Sequence, residues 1–115
     1  MIVRILIIDS EPRWIEFAKR DLGIFEIVVA KTEEEAIAEL KQDQFDLVIA
    51  SAASLDILKI ISEEYSEKKV VVTTVQPSTQ EALQVYRLGA IRYFPKSFSQ
   101  QDLFNNIKEV LPAKS

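Results

Sequence analysis

Short unbroken apolar runs, rich in β-branched residues, alternate along the chain with longer segments whose apolar positions recur at helical spacing. The runs Ile2 to Ile8, Phe25 to Ala30, Phe45 to Ser51, Lys69 to Thr74 and Ile91 to Phe94 predict strands. Within most of them polar and apolar residues do not alternate, which is the pattern of strands covered on both faces in a parallel sheet. Phe45-Asp46-Leu47-Val48-Ile49-Ala50-Ser51 reads as the central one.

The intervening segments carry helix punctuation. Pro12 suits a first helical turn, and Trp14, Ile15, Phe17, Ala18 and Leu22 form a stripe that Gly23 closes. Thr32 with Glu35 reads as a capping box ahead of Ala36, Ile37 and Leu40, and Leu55, Leu58, Ile61 and Tyr65 mark a third helix soon after Ser51. Pro77-Ser78 with Glu81 opens a fourth, carrying Ala82, Leu83, Val85 and Tyr86 to Gly89. Ser99 with Asp102 opens the last, with Leu103, Phe104, Ile107 and Leu111 as core positions before Pro112.

Strands and helices alternating at about twenty-residue spacing predict one α/β domain over residues 1–115, a three-layer sandwich with right-handed crossovers. A TIM barrel needs about 250 residues. With two glycines in the chain there is no glycine-rich phosphate loop.

Composition narrows the chemistry further. The sequence has no Cys and no His, which excludes disulfides, thiol catalysis, zinc–thiolate sites and phosphohistidine. The net charge is −4, and no basic cluster runs longer than Lys68-Lys69. Direct contact with nucleic acid or an anionic membrane is not expected. The apolar run Ile5 to Ile8 is too short for a membrane span and has no signal-peptide cleavage region after it, so a cytoplasmic location is expected.

In a parallel sheet the carboxyl ends of the strands open onto the ligand crevice. Asp9 ends the first strand, Ser51 the third and Thr73-Thr74 the fourth, while Lys96 follows the fifth. A serine hydroxyl is neutral and a poor nucleophile without a base, whereas a carboxylate could accept a phosphoryl group or a metal.

These pieces resemble a response-regulator receiver domain over nearly the whole length. The likeness is carried by Ile5-Leu6-Ile7-Ile8-Asp9-Ser10-Glu11-Pro12, Asp46-Leu47-Val48-Ile49, Thr74 fifteen residues before Gly89-Ala90, and Tyr93-Phe94-Pro95-Lys96-Ser97-Phe98. The resemblance implies a flavodoxin-like (βα)5 fold of strand order 2-1-3-4-5. It also implies a pocket where paired acids hold Mg²⁺, an Asp ending the third strand accepts a phosphoryl group, and a hydroxyl and a lysine bind its oxygens. Asp9 matches the first acid, Thr74 the hydroxyl, Lys96 the lysine and Tyr93 the aromatic switch residue that works with Thr74.

The departures fall on charge. Ser10 stands in the place of the second metal-binding acid and Ser51 in that of the phosphoacceptor. Val75 replaces a small residue beside the acceptor, Ser97 replaces a proline, and the loop after Ser51 is about two residues short and lacks its Pro and Gly. Like charges about 4 Å apart repel by about 4 kcal/mol at an effective dielectric of 20, a repulsion that Mg²⁺ normally offsets. The expectation is a pocket of Asp9, Ser10, Ser51, Thr74 and Lys96, neutral without metal or other cofactor, closed by an Asp9–Lys96 ion pair with Ser51 and Thr74 as hydrogen-bond partners. Glu11 is read as a residue that precedes a helix, and Asp56 as a first-turn acid favoured by the helix dipole rather than a substitute acceptor.

The function expected from this reading is not enzymatic. It is a pseudo-receiver acting by protein–protein contact, with a partner or a second copy meeting Tyr86, Arg87, Arg92 and Phe98 on the fourth helix, fifth strand and fifth helix. One alternative is the regulatory domain of a longer transcription regulator that senses a ligand or a partner. Another is a hydrolase or transferase using Ser51 and Lys96, for which no oxyanion motif is present.

Overall fold

The computed structural model describes residues 2–112. Five strands alternate with five helices: β1 (Arg4–Ile8), α1 (Pro12–Asp21), β2 (Glu26–Ala30), α2 (Glu33–Gln42), β3 (Leu47–Ser51), α3 (Leu55–Glu64), β4 (Val70–Thr74), α4 (Thr79–Arg87), β5 (Arg92–Pro95) and α5 (Asp102–Ile107). A 3-10 turn, Lys108–Val110, extends α5. All neighbouring strands are parallel, in the order β2-β1-β3-β4-β5. This is the flavodoxin-like order that the resemblance to receiver domains implies.

The strand period of two sorts the core into two layers. Ile5 and Ile7 of β1 face Trp14, Phe17, Ala18 and Leu22 of the first helical segment together with Leu103 and Ile107 of α5. Leu6 and Ile8 face the other way, onto Ala36 and Leu40 of α2, Ile57, Leu58 and Ile61 of α3 and Val85 of α4. Both faces are therefore covered, which explains the absence of polar alternation in β1, β3 and β4. Leu83 and Tyr86 of α4 are exposed, so only a narrow stripe of that helix, centred on Val85, is fully buried.

The caps differ in part from the sequence expectation. Gly89, at φ 96°, closes α4 in the left-handed conformation that a glycine adopts without a Cβ clash. Gly23 is not left-handed; the chain leaves α1 through Leu22, whose N–H bonds the Ala18 carbonyl. For α5, Ser99 is not the cap. Gln101 takes a left-handed φ of 70°, and the carboxylate of Asp21 at the end of α1 accepts from Gln101 N at 2.6 Å and Phe104 N at 3.1 Å. Asp21 thus caps a helix about eighty positions away, satisfying donors left free at its start. Asp21→Ala is expected to cost about 1–2 kcal/mol in urea unfolding, the range of a lost N-cap. A loss below a few tenths would show that water replaces it.

Candidate functional site

The parallel register brings the carboxyl ends of the central strands to one edge. Ile8 pairs with Ala30 and Ala50, Ser51 with Thr73, and Thr74 with Pro95. Asp9, Ser51, Thr74 and Lys96 therefore leave the sheet on the same side, as the strand assignments imply.

Asp9 and Lys96 meet there. Lys96 Nζ lies 2.9 Å from Asp9 Oδ2, with side-chain exposures of 5% and 4%. This contact is ionic rather than a well-directed hydrogen bond; the hydrogen bond from Lys96 goes to Glu11 Oε2, also at 2.9 Å. Asp9 Oδ1 accepts from Glu11 N at 3.0 Å, which turns the chain into α1 and brings Glu11 over the lysine. Lys96 Nζ also lies over the Trp14 ring, 5.6 Å from its centroid.

Two expectations change here. Glu11 does more than precede a helix, because its carboxylate shares Lys96 with Asp9. The group of charges is therefore two carboxylates on one ammonium, not a neutral pair. Nor do Ser51 and Thr74 complete the ion pair. Ser51 Oγ accepts from Ala53 N at 3.2 Å within its own tight turn, and Ser54 N bonds the Ser51 carbonyl before α3 begins. Thr74 Oγ1 donates to Glu81 Oε1 at 2.5 Å and accepts from Gln76 N at 3.2 Å.

The same Glu81 oxygen accepts from the Tyr93 hydroxyl at 2.6 Å, and that hydroxyl accepts from Ser78 N at 3.1 Å. Burial pushes the Tyr93 phenol above its ordinary value, and the bond to Glu81 adds to the shift. The Ser-x-x-Glu signature pointed only to a capping box. Ser78 Oγ does cap Glu81 N at 3.1 Å, but the return bond from Glu81 to the backbone passes through the Tyr93 hydroxyl.

Ser10 is exposed beside Asp9 on a pocket of about 200 Å³ whose wall also includes Lys31, Ser54 and Asp56. Val75 is 77% exposed, and its side chain stands in solvent. Thr73 is fully buried, and its hydroxyl has no hydrogen-bond partner among the described residues.

Among the four surface residues expected to meet a partner, Tyr86 and Arg87 lie on the exposed side of α4. Arg92, on the edge strand β5, pairs with Glu109 at 3.5 Å. Phe98 lies elsewhere: it stacks edge-on against Trp14 and Phe17 at 5.7 and 5.5 Å, next to α1.

The carboxylates that could meet a magnesium ion here, Asp9 and Glu11, are both engaged by Lys96. The third strand ends in a hydroxyl, and among the described residues no three acidic, His or Cys side chains gather into one cluster.

A parallel 2-1-3-4-5 sheet with Asp9, Thr74 and Lys96 at its carboxyl edge defines the receiver class, and residues 5–108 match the response regulator receiver domain. The chain belongs to that family. It is 29% identical over 112 residues to the transcriptional regulatory protein YvrH of Bacillus subtilis, an alignment covering 90% of this chain and 47% of that protein. It is 26% identical to the transcriptional regulatory protein CpxR of Escherichia coli, over 94% of this chain and 49% of CpxR. The chain thus spans about half the length of the curated relatives it matches.

Among solved structures, the response regulator TrrA from Thermotoga maritima, crystallised with Mg²⁺ and BeF, is 27% identical with a TM-score of 0.83, covering 96% of this chain and 100% of that one. The orphan response regulator HP1043 of H. pylori has the same fold at a TM-score of 0.84 and 24% identity, over 96% and 97% of the two chains. Receiver domains of this family act in two-component signal transduction, and the matched relatives are regulators. No helix among the described residues is long and apolar enough to cross a membrane.

Proposed function

We propose that this is a receiver domain that signals without being phosphorylated, a cytoplasmic module working through protein contacts. The observation that carries the reading is the end of β3. Ser51 presents a neutral hydroxyl engaged in its own turn, beside a lysine already held by Asp9 and Glu11. The end of β3 therefore offers no carboxylate nucleophile, and the lysine that would meet an incoming phosphoryl group is already engaged. Intact protein incubated with acetyl phosphate and Mg²⁺ is expected to keep its mass. A gain of one phosphoryl group at Ser51 or Asp56 would overturn the reading.

The face expected to meet a partner or a second copy is that of α4 and β5, where Tyr86 and Arg87 are exposed and Arg92 flanks them. The proposed contact is with protein, not directly with nucleic acid or a membrane, and it uses no cofactor. A second reading rests on the relatives named transcriptional regulatory proteins, of which the chain spans about half: the same domain as the regulatory part of a longer transcription regulator, answering a ligand or partner. A serine hydrolase is disfavoured, because Lys96 bonds carboxylates and makes no hydrogen bond to Ser51.

A further inference from the structure

Glu81 gathers contacts that neither the ion pair nor the end of β3 accounts for. Its Oε1 receives the hydroxyl protons of both Thr74 and Tyr93, filling the two lone pairs of one carboxylate oxygen. Each hydroxyl in turn accepts a backbone N–H from the β4–α4 loop, Gln76 onto Thr74 and Ser78 onto Tyr93. Ser78 closes the circuit by accepting Glu81 N on its own side chain. One charge on α4 therefore holds the ends of β4 and β5 and the loop between β4 and α4.

We infer that Glu81 is an internal latch: it holds Thr74 and Tyr93 in one arrangement, so that the exposed face at Tyr86 is set from α4 itself and not from the strand-end crevice.

Three physical points carry this. A hydroxyl has a single proton, and that of Thr74 is committed to Glu81, leaving none for an anion in the crevice. Hydrogen bonds to an ionised carboxylate are about twice as strong as neutral ones, and linked bonds reinforce each other. The Tyr93 ring meets Tyr86 edge-on at 6.4 Å, and Tyr86 is 47% exposed, so the position of Tyr93 reaches the surface through one packed contact. The latch does not depend on the proposed function, since its bonds join Thr74, Tyr93 and Glu81 and none of them involves Ser51, Asp9 or Lys96.

The test uses Glu81→Ala, which removes the acceptor, Glu81→Gln, which keeps the shape but not the charge, and Tyr93→Phe. Amide exchange at Gln76 and Ser78 is expected to quicken about tenfold or more in Glu81→Ala and less in Glu81→Gln. In Tyr93→Phe, Ser78 alone should quicken while Gln76 keeps its rate, and the Tyr86 ring resonances should move in all three variants. If Glu81→Ala does not fold, the other two variants carry the test.

The Tyr93 phenol should titrate lower in Glu81→Gln than in the parent. Because folding raises it, its contribution to stability is complete below about pH 10 and is lost as pH rises through the folded value. The urea-unfolding difference between parent and Tyr93→Phe should shrink over that window. Exchange rates at Gln76 and Ser78 within about twofold of the parent in both Glu81 variants, with Tyr93 titrating unchanged, would overturn the inference.

Discussion

Replacing Lys96 with methionine is expected to cost the fold about 3–5 kcal/mol, a large share of the stability of a domain this size. Methionine keeps an unbranched apolar stem, so what is lost is the ammonium, including its place over the Trp14 ring. Without the ammonium, the Asp9 carboxylate, 4% exposed, is buried next to Glu11 with no cation against it. Removing one member of a buried pair is costly because the other stays desolvated. Asp9→Asn in the same background should therefore recover more than half of the loss, whereas two independent sites would add their costs. Urea unfolding of the parent, both single variants and the double variant measures this. A Lys96→Met loss under about 1 kcal/mol would show that the pair does not hold the crevice together.

The second large effect runs in the opposite direction, by returning charge to the crevice. Ser10→Asp with Ser51→Asp adds two carboxylates to the two that already share Lys96. With divalent ions chelated, this variant is expected to lose about 4 kcal/mol to like-charge repulsion. Mg²⁺ at about a hundred times its dissociation constant should then restore about 2.7 kcal/mol by binding only the folded state. The parent, lacking that donor set, should show no Mg²⁺-dependent change in unfolding temperature. A parent that gains as much from Mg²⁺ as the variant would mean that Asp9 and Glu11 hold the ion by displacing Lys96.

Sequence reading went furthest where the physics is local and periodic. The unbroken runs ending at Asp9, Ser51 and Thr74 located three strand ends within a residue or so, because a strand buried on both faces leaves no other pattern. The stripe from Trp14 to Leu22 was legible for the same reason. What sequence could not give was the choice among partners. Glu11 and Lys96 lie 85 positions apart, and Asp21 and Gln101 lie 80 apart, so no spacing rule connects them. Glu81 shows the subtler limit. Its place three residues after Ser78 suggested a backbone cap, and only folding brings Tyr93 in between. Phe98, read as a partner contact from its place in the chain, is 54% exposed but rests edge-on against aromatic rings of α1, a placement no spacing rule gives.

The sheet ends on one side in β5, four residues long, with Arg92 at its start and Pro95 at its close. A proline has no N–H to offer, and a short strand flanked by charge is a poor template for another chain's backbone. Extension of this sheet from one molecule into the next is thereby discouraged. A protein settling beside β5 would then be met by side chains and not by backbone pairing.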